Sequence, residues 1–354
     1  MKKIILTGGG TAGHVTPNIA LVPLLLDMSL SLDYIGSYSG IEKELIAPLN
    51  ISYHPISTGK LRRYKDIRNI TDPFRVIKGC YQAALLIRRL KPAVVFSKGG
   101  FVSLPVIIGA WLNRVPSILH ESDISPGLAN KLCTFFATRI CVNFPETLEL
   151  VSTKKGVLTG TPIRSELASG NAEAGLTLCG FDHSKPVIML MGGSLGARTL
   201  NLIIREQLGE LLEKYQLIHL CGRGNLDKAL EGIKGYKQFE YVSSELPDLF
   251  AACELVISRA GANAISELLY IRKPNILIPL PLSASRGDQL LNAASFERKG
   301  YSYVIKEEEL SSKVLFKAIQ QVLENKAAYC EAMSKAPQSN GTENVLKEIS
   351  RFLN

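Results

Sequence analysis

Lys3-Ile4-Ile5-Leu6-Thr7, followed at once by Gly8-Gly9-Gly10-Thr11-Ala12-Gly13-His14 and then Pro17, is the stretch that decides the fold. A short apolar run reads as a buried strand, and glycines leading to a proline in an early helical turn read as a tight strand-to-helix connection. The same grammar returns along the chain. Candidate strands in the first half are Lys3 to Thr7, Asp33 to Gly36, Tyr53 to Ile56, Ala93 to Ser97, Ser117 to His120 and Ile140 to Asn143. Helical segments Pro17 to Leu26, Asp72 to Leu90 and Gly127 to Ala137 lie between them. In the second half Val187 to Met191, Leu217 to Cys221, Phe239 to Val242, Leu255 to Ser258, Ile276 to Pro279 and Tyr303 to Lys306 read as strands, with helices such as Arg198 to Lys214 and Asn263 to Tyr270. Strands alternating with helices specify an α/β protein whose parallel sheets are covered by helices.

The 354 residues are enough for two such domains at roughly 150 residues each. The expected division is 1–160 and 161–341, with the join near Gly160 to Glu166 and the polar stretch Ser169 to Ala174 on a surface loop just beyond it. The final helical segment, Thr342 to Phe352, follows Pro337 and Gly341 and is free to pack on either domain, a return of 342–354 to the first being one of the two expected outcomes. With 46% hydrophobic and 21% charged residues, neither a disordered chain nor a disulfide-stapled miniprotein fits. The seven scattered cysteines form no C-x-x-C pair, which speaks against a disulfide framework or zinc site and for a reducing cytosol. No signal peptide is read ahead of the first strand, and the longest apolar stretch, Phe101 to Leu112, falls short of the ~18 residues needed to span a bilayer.

In open α/β sheets ligands collect beyond the carboxyl ends of strands. Gly8 to His14 presents close-approaching backbone at a helix start, a setting that attracts anions, and His14 adds an imidazole able to take a proton near neutral pH. A dinucleotide fingerprint is not complete: Gly8, Gly10 and Gly13 match G-x-G-x-x-G, but Tyr34-Ile35-Gly36-Ser37-Tyr38 offers no acid for a ribose. Lys98-Gly99-Gly100-Phe101-Val102-Ser103 forms a second such loop. His120-Glu121-Ser122-Asp123 forms a third, whose carboxylates serve either as a general base or as caps for the helix entered near Pro126 and Gly127. In the second half Gly192-Gly193-Ser194-Leu195-Gly196-Ala197-Arg198 opens a helix in the manner of a diphosphate site without a P-loop lysine. Ser258-Arg259-Ala260-Gly261 with Glu267, and Arg286-Gly287-Asp288-Gln289, add carboxylate and amide groups suited to sugar hydroxyls. An anion- and sugar-binding loop set on both domains points to an interdomain cleft as the site.

Taken in order, these motifs resemble the MurG family, the bacterial transferases that add N-acetylglucosamine to the lipid-linked muramyl-pentapeptide precursor of peptidoglycan. The resemblance runs through Gly8 to Pro17, Gly99-Gly100-Phe101-Val102-Ser103, His120-Glu121 with Pro126-Gly127-Leu128-Ala129-Asn130, and Gly160-Thr161-Pro162-Ile163-Arg164. It continues through Gly192 to Asn201, Ser258 to Glu267, and Asp288-Gln289 ahead of Asn292-Ala293, and so covers essentially the whole chain. It implies a GT-B glycosyltransferase fold, two Rossmann-like doubly wound domains facing across a cleft, with UDP-GlcNAc held mainly by the C-terminal domain and lipid I by the N-terminal one. It also implies residue roles. The Val242 backbone recognises uracil, Glu267 the ribose, and Ser194 with Arg164 the diphosphate. Gln289 and Asp288 meet the sugar hydroxyls, Thr11, Ala12 and Gly13 complete the donor site, and His14 lies near the acceptor. No cofactor and no metal are expected, since no Asp-x-Asp appears in the relevant loops.

Three departures stand out. Many family members carry Gln-Asn at Ser122-Asp123, Gln at Leu195 and Asn at Thr161. Asp123 can supply the base directly, so His14 and Asp123 are the candidate catalytic pair, sharing the acceptor hydroxyl. The same scaffold also hosts UDP-N-acetylglucosamine 2-epimerases and diacylglycerol galactosyltransferases, so the fold does not fix the chemistry.

The charge is lopsided. Of the net +9, the whole excess lies in residues 1–155, with 19 Lys/Arg against 10 Asp/Glu, while the rest is balanced at 22 against 22. Ten basic residues fall between Lys60 and Lys91. Nucleic acid is a poor match, because the segment holds only Tyr64, Phe74 and Tyr81 as aromatics and no recognised binding module. An anionic membrane surface fits better, with Arg62, Arg63, Arg68, Phe74, Arg75 and Lys78 as the contact residues. Ile70, Phe74, Ile77, Tyr81, Ala84 and Leu85 follow a helical stripe, part of which is expected to be sheet-facing core. The implied location is the cytoplasmic face of the bacterial membrane, peripherally, with cell-wall synthesis proteins as further partners.

Overall fold

The computed structural model describes residues 1–59, 68–151, 154–192 and 197–353, with the backbone alone for 68–71. The chain divides into two compact units, Met1–Arg164 with Asn340–Asn354, and Ser165–Ser339.

Unit 1 is built on β1 (Lys3–Thr7), β2 (Ser31–Ser37), β3 (Ser52–Ile56), β4 (Val94–Ser97), β5 (Ser117–Glu121), β6 (Arg139–Val142) and β7 (Gly156–Leu158), hydrogen-bonded in the order β3-β2-β1-β4-β5-β6-β7. Every pairing is parallel. Helices cover both faces, so the central strands are apolar without interruption. Alternation along β1 splits the core in two. Ile4 and Leu6 pack with Val94, Phe96 and Leu21, Leu25 of the helix Thr16–Asp27, whereas Ile5 packs with Val95, Ala83, Ile87 and Val106 on the other face. The outermost strand, β3, is the one that tolerates a proline, Pro55, since an edge position needs fewer backbone donors.

The C-terminal helix Gly341–Ser350 belongs to unit 1 by contact as well as by backbone clustering. Val345 and Ile349 enter the β1 core, and the Thr342 hydroxyl accepts from the Ile163 N–H at 2.8 Å and donates to its carbonyl at 2.7 Å. Arg139 Nε pairs with the buried Glu348 at 3.0 Å. Gly341 sits so close to this junction that a Cβ there would lie 2.1 Å from the Thr161 carbonyl oxygen.

Unit 2 repeats the plan with β8 (Val187–Met191), β9 (Gln216–Leu220), β10 (Tyr236–Phe239), β11 (Leu255–Ser258), β12 (Asn275–Leu277) and β13 (Tyr303–Val304), in the parallel order β10-β9-β8-β11-β12-β13. Both sheets therefore reverse direction of growth at one place, between β1 and β4 and between β8 and β11, which is where doubly wound sheets bind ligands.

Several expectations shift. The strand read as Phe239 to Val242 is Tyr236–Phe239, so Val242 lies in the loop beyond it. Tyr236 wins the strand because its ring is buried and its hydroxyl has a partner in His219. The helix read as Arg198 to Lys214 is two, Arg198–Glu206 and Leu208–Lys214. β7, not anticipated from its sequence Gly-Val-Leu, is a short edge strand whose residues are only half-buried. On the helix Arg68–Leu90 most of the stripe is outside: Phe74 is 71% exposed, Tyr81 66%, and Ile77 and Leu85 are also exposed, while Ala84 is half-buried, the Ile70 side chain lies outside the described residues, and the buried face is Gly79, Ala83 and Ile87.

Unit 2 buries a histidine that no motif flagged. His219 Nε2 lies 3.0 Å from Asn201 Oδ1, and Nδ1 lies 2.7 Å from the Tyr236 hydroxyl. Because Asn201 Nδ2 donates to the Cys221 carbonyl, its Oδ1 accepts, so His219 carries its proton on Nε2. Burial, and then the Arg205 charge, push the His219 pKa down to about 3. Between there and the ordinary histidine value near 6.5 the unfolded chain binds a proton that the folded chain refuses. Stability is thus lost as pH falls through that window, by up to ~1.4 kcal/mol per unit. The urea midpoint of unit 2 should fall steadily from pH 7 to pH 4, and His219→Gln should flatten that slope while lowering the midpoint at pH 7.

Candidate active site

At the reversal in unit 1 two glycine loops touch. The Gly9 N–H donates to the Gly99 carbonyl at 3.4 Å, joining the β1 and β4 loops. Gly10 and Gly100 hold φ of +90° and +88°, which side-chain-bearing residues avoid. A Cβ on Gly100 would stand 2.1 Å from the Gly9 carbonyl oxygen and 3.2 Å from His14 Nδ1, so the imidazole rests against a surface only glycine can provide. His14 ends a short 3-10 turn, Ala12–His14, and its Nδ1 is 3.0 Å from the Thr11 hydroxyl. Beneath the loop lies Glu42, wholly buried. Its Oε2 accepts from the Gly10 N–H at 3.2 Å, and its Oε1 accepts from the Ser37 N–H at 3.0 Å and the Ser37 hydroxyl at 2.5 Å.

The third loop comes from β5. Glu121 accepts from the N–H groups of Ser122 (2.8 Å) and Asp123 (3.0 Å) and from Asn130 Nδ2 (2.8 Å). Glu121 thus fixes its own turn rather than capping the next helix, Leu128–Phe136, whose N-cap is Gly127. Asp123 is half-buried beside it, and the buried Lys98 ammonium, arriving from the end of β4, donates to the Ser122 hydroxyl. Burial draws Lys98 below the usual lysine range while Glu121 and Asp123 pull it back. Burial and the Asp123 charge raise Glu121 above the usual carboxylate range, against the Asn130, backbone and Lys98 contributions. His120, buried with its Nε2 2.8 Å from the Gly160 carbonyl, is driven well down by burial and then by Lys98. It stays a neutral donor to the junction segment that ends in Arg164. Arg164 Nε is buried with no hydrogen-bond partner among the described residues.

In unit 2 the reversal lies between the Gly192 loop and Ser258-Arg259-Ala260-Gly261. Ser194 and Leu195 lie outside the described residues, as do Arg62 and Arg63 and the side chain of Arg68. The helices Arg198–Glu206 and Ala262–Tyr270 start after Ala197 and Gly261, neither of which caps its helix through a side chain. Arg259 ties this region together: buried at the end of β11, it pairs with Glu307, which takes the Thr199 hydroxyl at 3.2 Å. Glu267 stands two turns into the second helix, half-buried. Gln289 Oε1 accepts from the Leu280 N–H at 3.1 Å, and its Nε2 lies 4.0 Å from where a Gly261 Cβ would be. Its amide is thereby held over the start of the Glu267 helix. Asp288 opens the helix Asp288–Arg298 and is 3.6 Å from Arg286. Val242 is buried beyond the outer strand β10.

Thr11, Ala12, Gly13 and His14 thus lie on the loop after β1 and the Ser122-Asp123 turn on the loop after β5, both in unit 1, while in unit 2 Glu267 lies on the helix Ala262–Tyr270 and Asp288 and Gln289 open the helix Asp288–Arg298. Sequence reasoning missed Glu42 and the role of Lys98. The signal for Glu42 was a carboxylate two residues past Gly40, just after a strand end, and for Lys98 a cation inside an otherwise glycine loop.

This arrangement is matched in known proteins. The glycosyltransferase family 28 N-terminal domain matches residues 4–142 and the glycosyltransferase family 28 C-terminal domain matches residues 187–349. The chain belongs to glycosyltransferase family 28. Family 28 relatives include a Clostridium botulinum protein, 56% identical over 352 residues and covering 99% of each chain, named UDP-N-acetylglucosamine--N-acetylmuramyl-(pentapeptide) pyrophosphoryl-undecaprenol N-acetylglucosamine transferase. A Lachnoclostridium phytofermentans protein of the same name is 56% identical over 98% of each chain. Among solved structures, Acinetobacter baumannii MurG superposes with a TM-score of 0.76 at 23% identity, covering 99% of this chain and 100% of that one. A UDP-GlcNAc 2-epimerase from Methanocaldococcus jannaschii reaches 0.67 at 14% identity over 99% and 100%. The two superpositions establish the fold, the pair of Rossmann-like domains of GT-B glycosyltransferases. Glu42 is a support of the first glycine loop. Glu42→Ala leaves the buried Ser37 N–H without its acceptor, a cost of about 1–3 kcal/mol. Chemical denaturation should show that loss, with Glu42→Gln, which keeps one carbonyl acceptor, losing clearly less.

Proposed function

We propose that the chain transfers N-acetylglucosamine from UDP-GlcNAc to the 4-hydroxyl of the muramic sugar in undecaprenyl-pyrophosphoryl-MurNAc-pentapeptide, lipid I, giving lipid II for peptidoglycan synthesis. The observation that carries this is the full-length likeness to transferases of that name. Unit 2 takes the nucleotide sugar: the Val242 backbone reads uracil, Glu267 accepts both ribose hydroxyls, and Gln289 and Asp288 hold the hydroxyls of the transferred sugar. Thr11, Ala12 and Gly13 meet that sugar from unit 1. The diphosphate lies at the start of the helix Arg198–Glu206 with Ser194, and the orphaned Arg164 Nε supports a role for that guanidinium as an anion partner.

Three charges move in the reaction. The acceptor hydroxyl gives its proton to the His14 and Asp123 pair, its oxygen forms the new bond to the anomeric carbon, and the bond from that carbon to the UDP oxygen breaks. Positive charge builds on the sugar ring while negative charge leaves with UDP. Helix N-termini and Arg164 stabilise the leaving group without reorganising, which is how fixed dipoles lower a barrier. Attack opposite UDP inverts an α-linked donor to a β-linkage.

The acceptor is lipid-borne, and unit 1 has a surface for it. Phe74, Ile77, Tyr81 and Leu85 are exposed on one helix beside Arg75, Lys78 and Arg88, and Trp111, Leu112 and Phe135 are exposed on the two helices that follow. Arg75 lies 3.7 Å from Asp72 but remains more than half exposed. Large contiguous apolar exposure rimmed by basic residues suits an anionic leaflet, where each basic side chain contributes ~1 kcal/mol. Among the described residues no helix is long and apolar enough to cross a membrane. The reading includes peripheral attachment at the cytoplasmic face, with other cell-wall synthesis proteins as neighbours, and the exposed apolar and basic side chains support it.

Radiolabel from UDP-GlcNAc should appear in lipid I and not in other lipid acceptors; no label in lipid I sinks the proposal. UDP-GlcNAc alone should stay unchanged, whereas the manno epimer would mark an epimerase. His14→Ala and Asp123→Asn should each lower turnover at least tenfold, and an unaffected Asp123→Asn would remove the carboxylate from the base. The protein should bind anionic vesicles and be released by high salt, and reversing Arg62, Arg63 and Arg68 should weaken this while leaving UDP binding intact.

A further inference from the structure

Lys98 has no part in the roles assigned above, yet its setting is unusual for a lysine. It stands just past β4 with 1% of its surface exposed, under the glycine loops, and its nitrogen reaches across to the β5 turn to donate to Ser122. A buried ammonium is tolerated only where negative charge and hydrogen bonds offset its lost hydration. One turn supplies both: Glu121 and Asp123 flank Ser122, and theirs are the charges that favour the protonated lysine. Glu121 is committed to three N–H donors, and burial draws it toward its neutral form. Asp123 is the less buried carboxylate of the turn. It is also one of the departures from the family pattern, and a carboxylate in a half-buried turn is stabilised by a nearby cation. The other titratable groups facing this cluster are neutral supports: His120 on β5, driven down by burial, and Cys133 on the helix Leu128–Phe136, whose thiol burial pushes up. His14 rests against Gly100, its Nδ1 3.2 Å from where a Cβ there would stand.

We propose that Lys98 is a positioning residue of the acceptor site: its buried ammonium, anchored on Ser122, is the countercharge that holds Asp123 ionised and aimed at the acceptor hydroxyl. This rests on the reading of Asp123 as part of the base. Lys98 does not touch the hydroxyl; it acts through the turn and through its field, so that Asp123 can take a proton near neutral pH without the cluster carrying two unbalanced negative charges.

Four full-length chains test this: native, Lys98→Met, Asp123→Asn and the double variant. Lys98→Met should lower kcat at neutral pH at least tenfold, move the acid limb of the kcat profile to higher pH, and leave KM for UDP-GlcNAc within about twofold. The Asp123 carboxyl, followed by carbon-13 NMR and assigned by its absence in Asp123→Asn, should titrate at higher pH in Lys98→Met. In the Asp123→Asn background Lys98→Met should cost less than threefold, because the charge to be balanced is gone. Additive losses with an unmoved acid limb and an unmoved Asp123 titration overturn the proposal. If Lys98→Met unfolds, the double variant decides: a melting temperature restored toward the native one supports the charge pair, and continued unfolding overturns it. If Asp123→Asn turns over normally while Lys98→Met still shifts the Asp123 titration, the charge pair stands and the assignment of Asp123 to the acceptor hydroxyl fails.

Discussion

Parallel strands cannot be joined by tight turns, and that constraint organises everything else here. Each strand must be followed by a crossover, so all the loops at the carboxyl ends open on one edge of the sheet. Where the strand order reverses, at β1 and β4 and again at β8 and β11, neighbouring loops leave toward opposite faces and a crevice opens between them. The glycine loops singled out for chemistry follow strands at those two reversals, while Val242 and Gly160–Arg164 follow edge strands.

The crevice in unit 1 is kept open by close backbone approach and closed underneath by buried charge. Gly9, Gly10, Gly99 and Gly100 let the two loops meet, because a Cβ at Gly100 would run into the Gly9 carbonyl. Glu42 under the first loop and Lys98 under the second then hydrogen-bond to backbone and hydroxyl groups of the loops above them. Burying such charges is costly unless they are paired, so their presence at a ligand edge is a sign that the edge is held in a particular shape. Unit 2 uses the same device with Arg259 and Glu307, and adds the neutral His219 between Asn201 and Tyr236. His219 links β9 and β10 to the helix Arg198–Glu206, so one buried imidazole ties three elements together.

Much of this was legible beforehand. Lys3–Thr7, Val187–Met191 and Leu255–Ser258 end where the apolar run meets glycine or a polar residue, and the loops that follow them carry the family motifs. What failed had local causes. Phe239 to Val242 is as apolar as Tyr236 to Phe239, and the choice fell to a hydroxyl-imidazole contact from another strand. The Phe74 stripe has the spacing of a buried face, but the sheet is covered by the Gly79, Ala83 and Ile87 side of the same helix, where small residues allow the helix Ser103–Leu112 to approach. Glu121 looks like a helix cap and instead closes its own turn.

By itself the sequence determined the α/β class, the repeated strand-loop-helix units, the glycine loops and the family, because each is written in residues close together along the chain. It also determined that positive charge sits on the first half. Only the tertiary structure decided which strands are neighbours, that the C-terminal helix returns to unit 1, which face of the basic helix is bare, and which acids and bases share a buried turn. Those are outcomes of packing between residues far apart in sequence, such as Lys98 with Ser122 and Arg139 with Glu348, where burial sets the energetic weight of a charge and no local pattern records the burial.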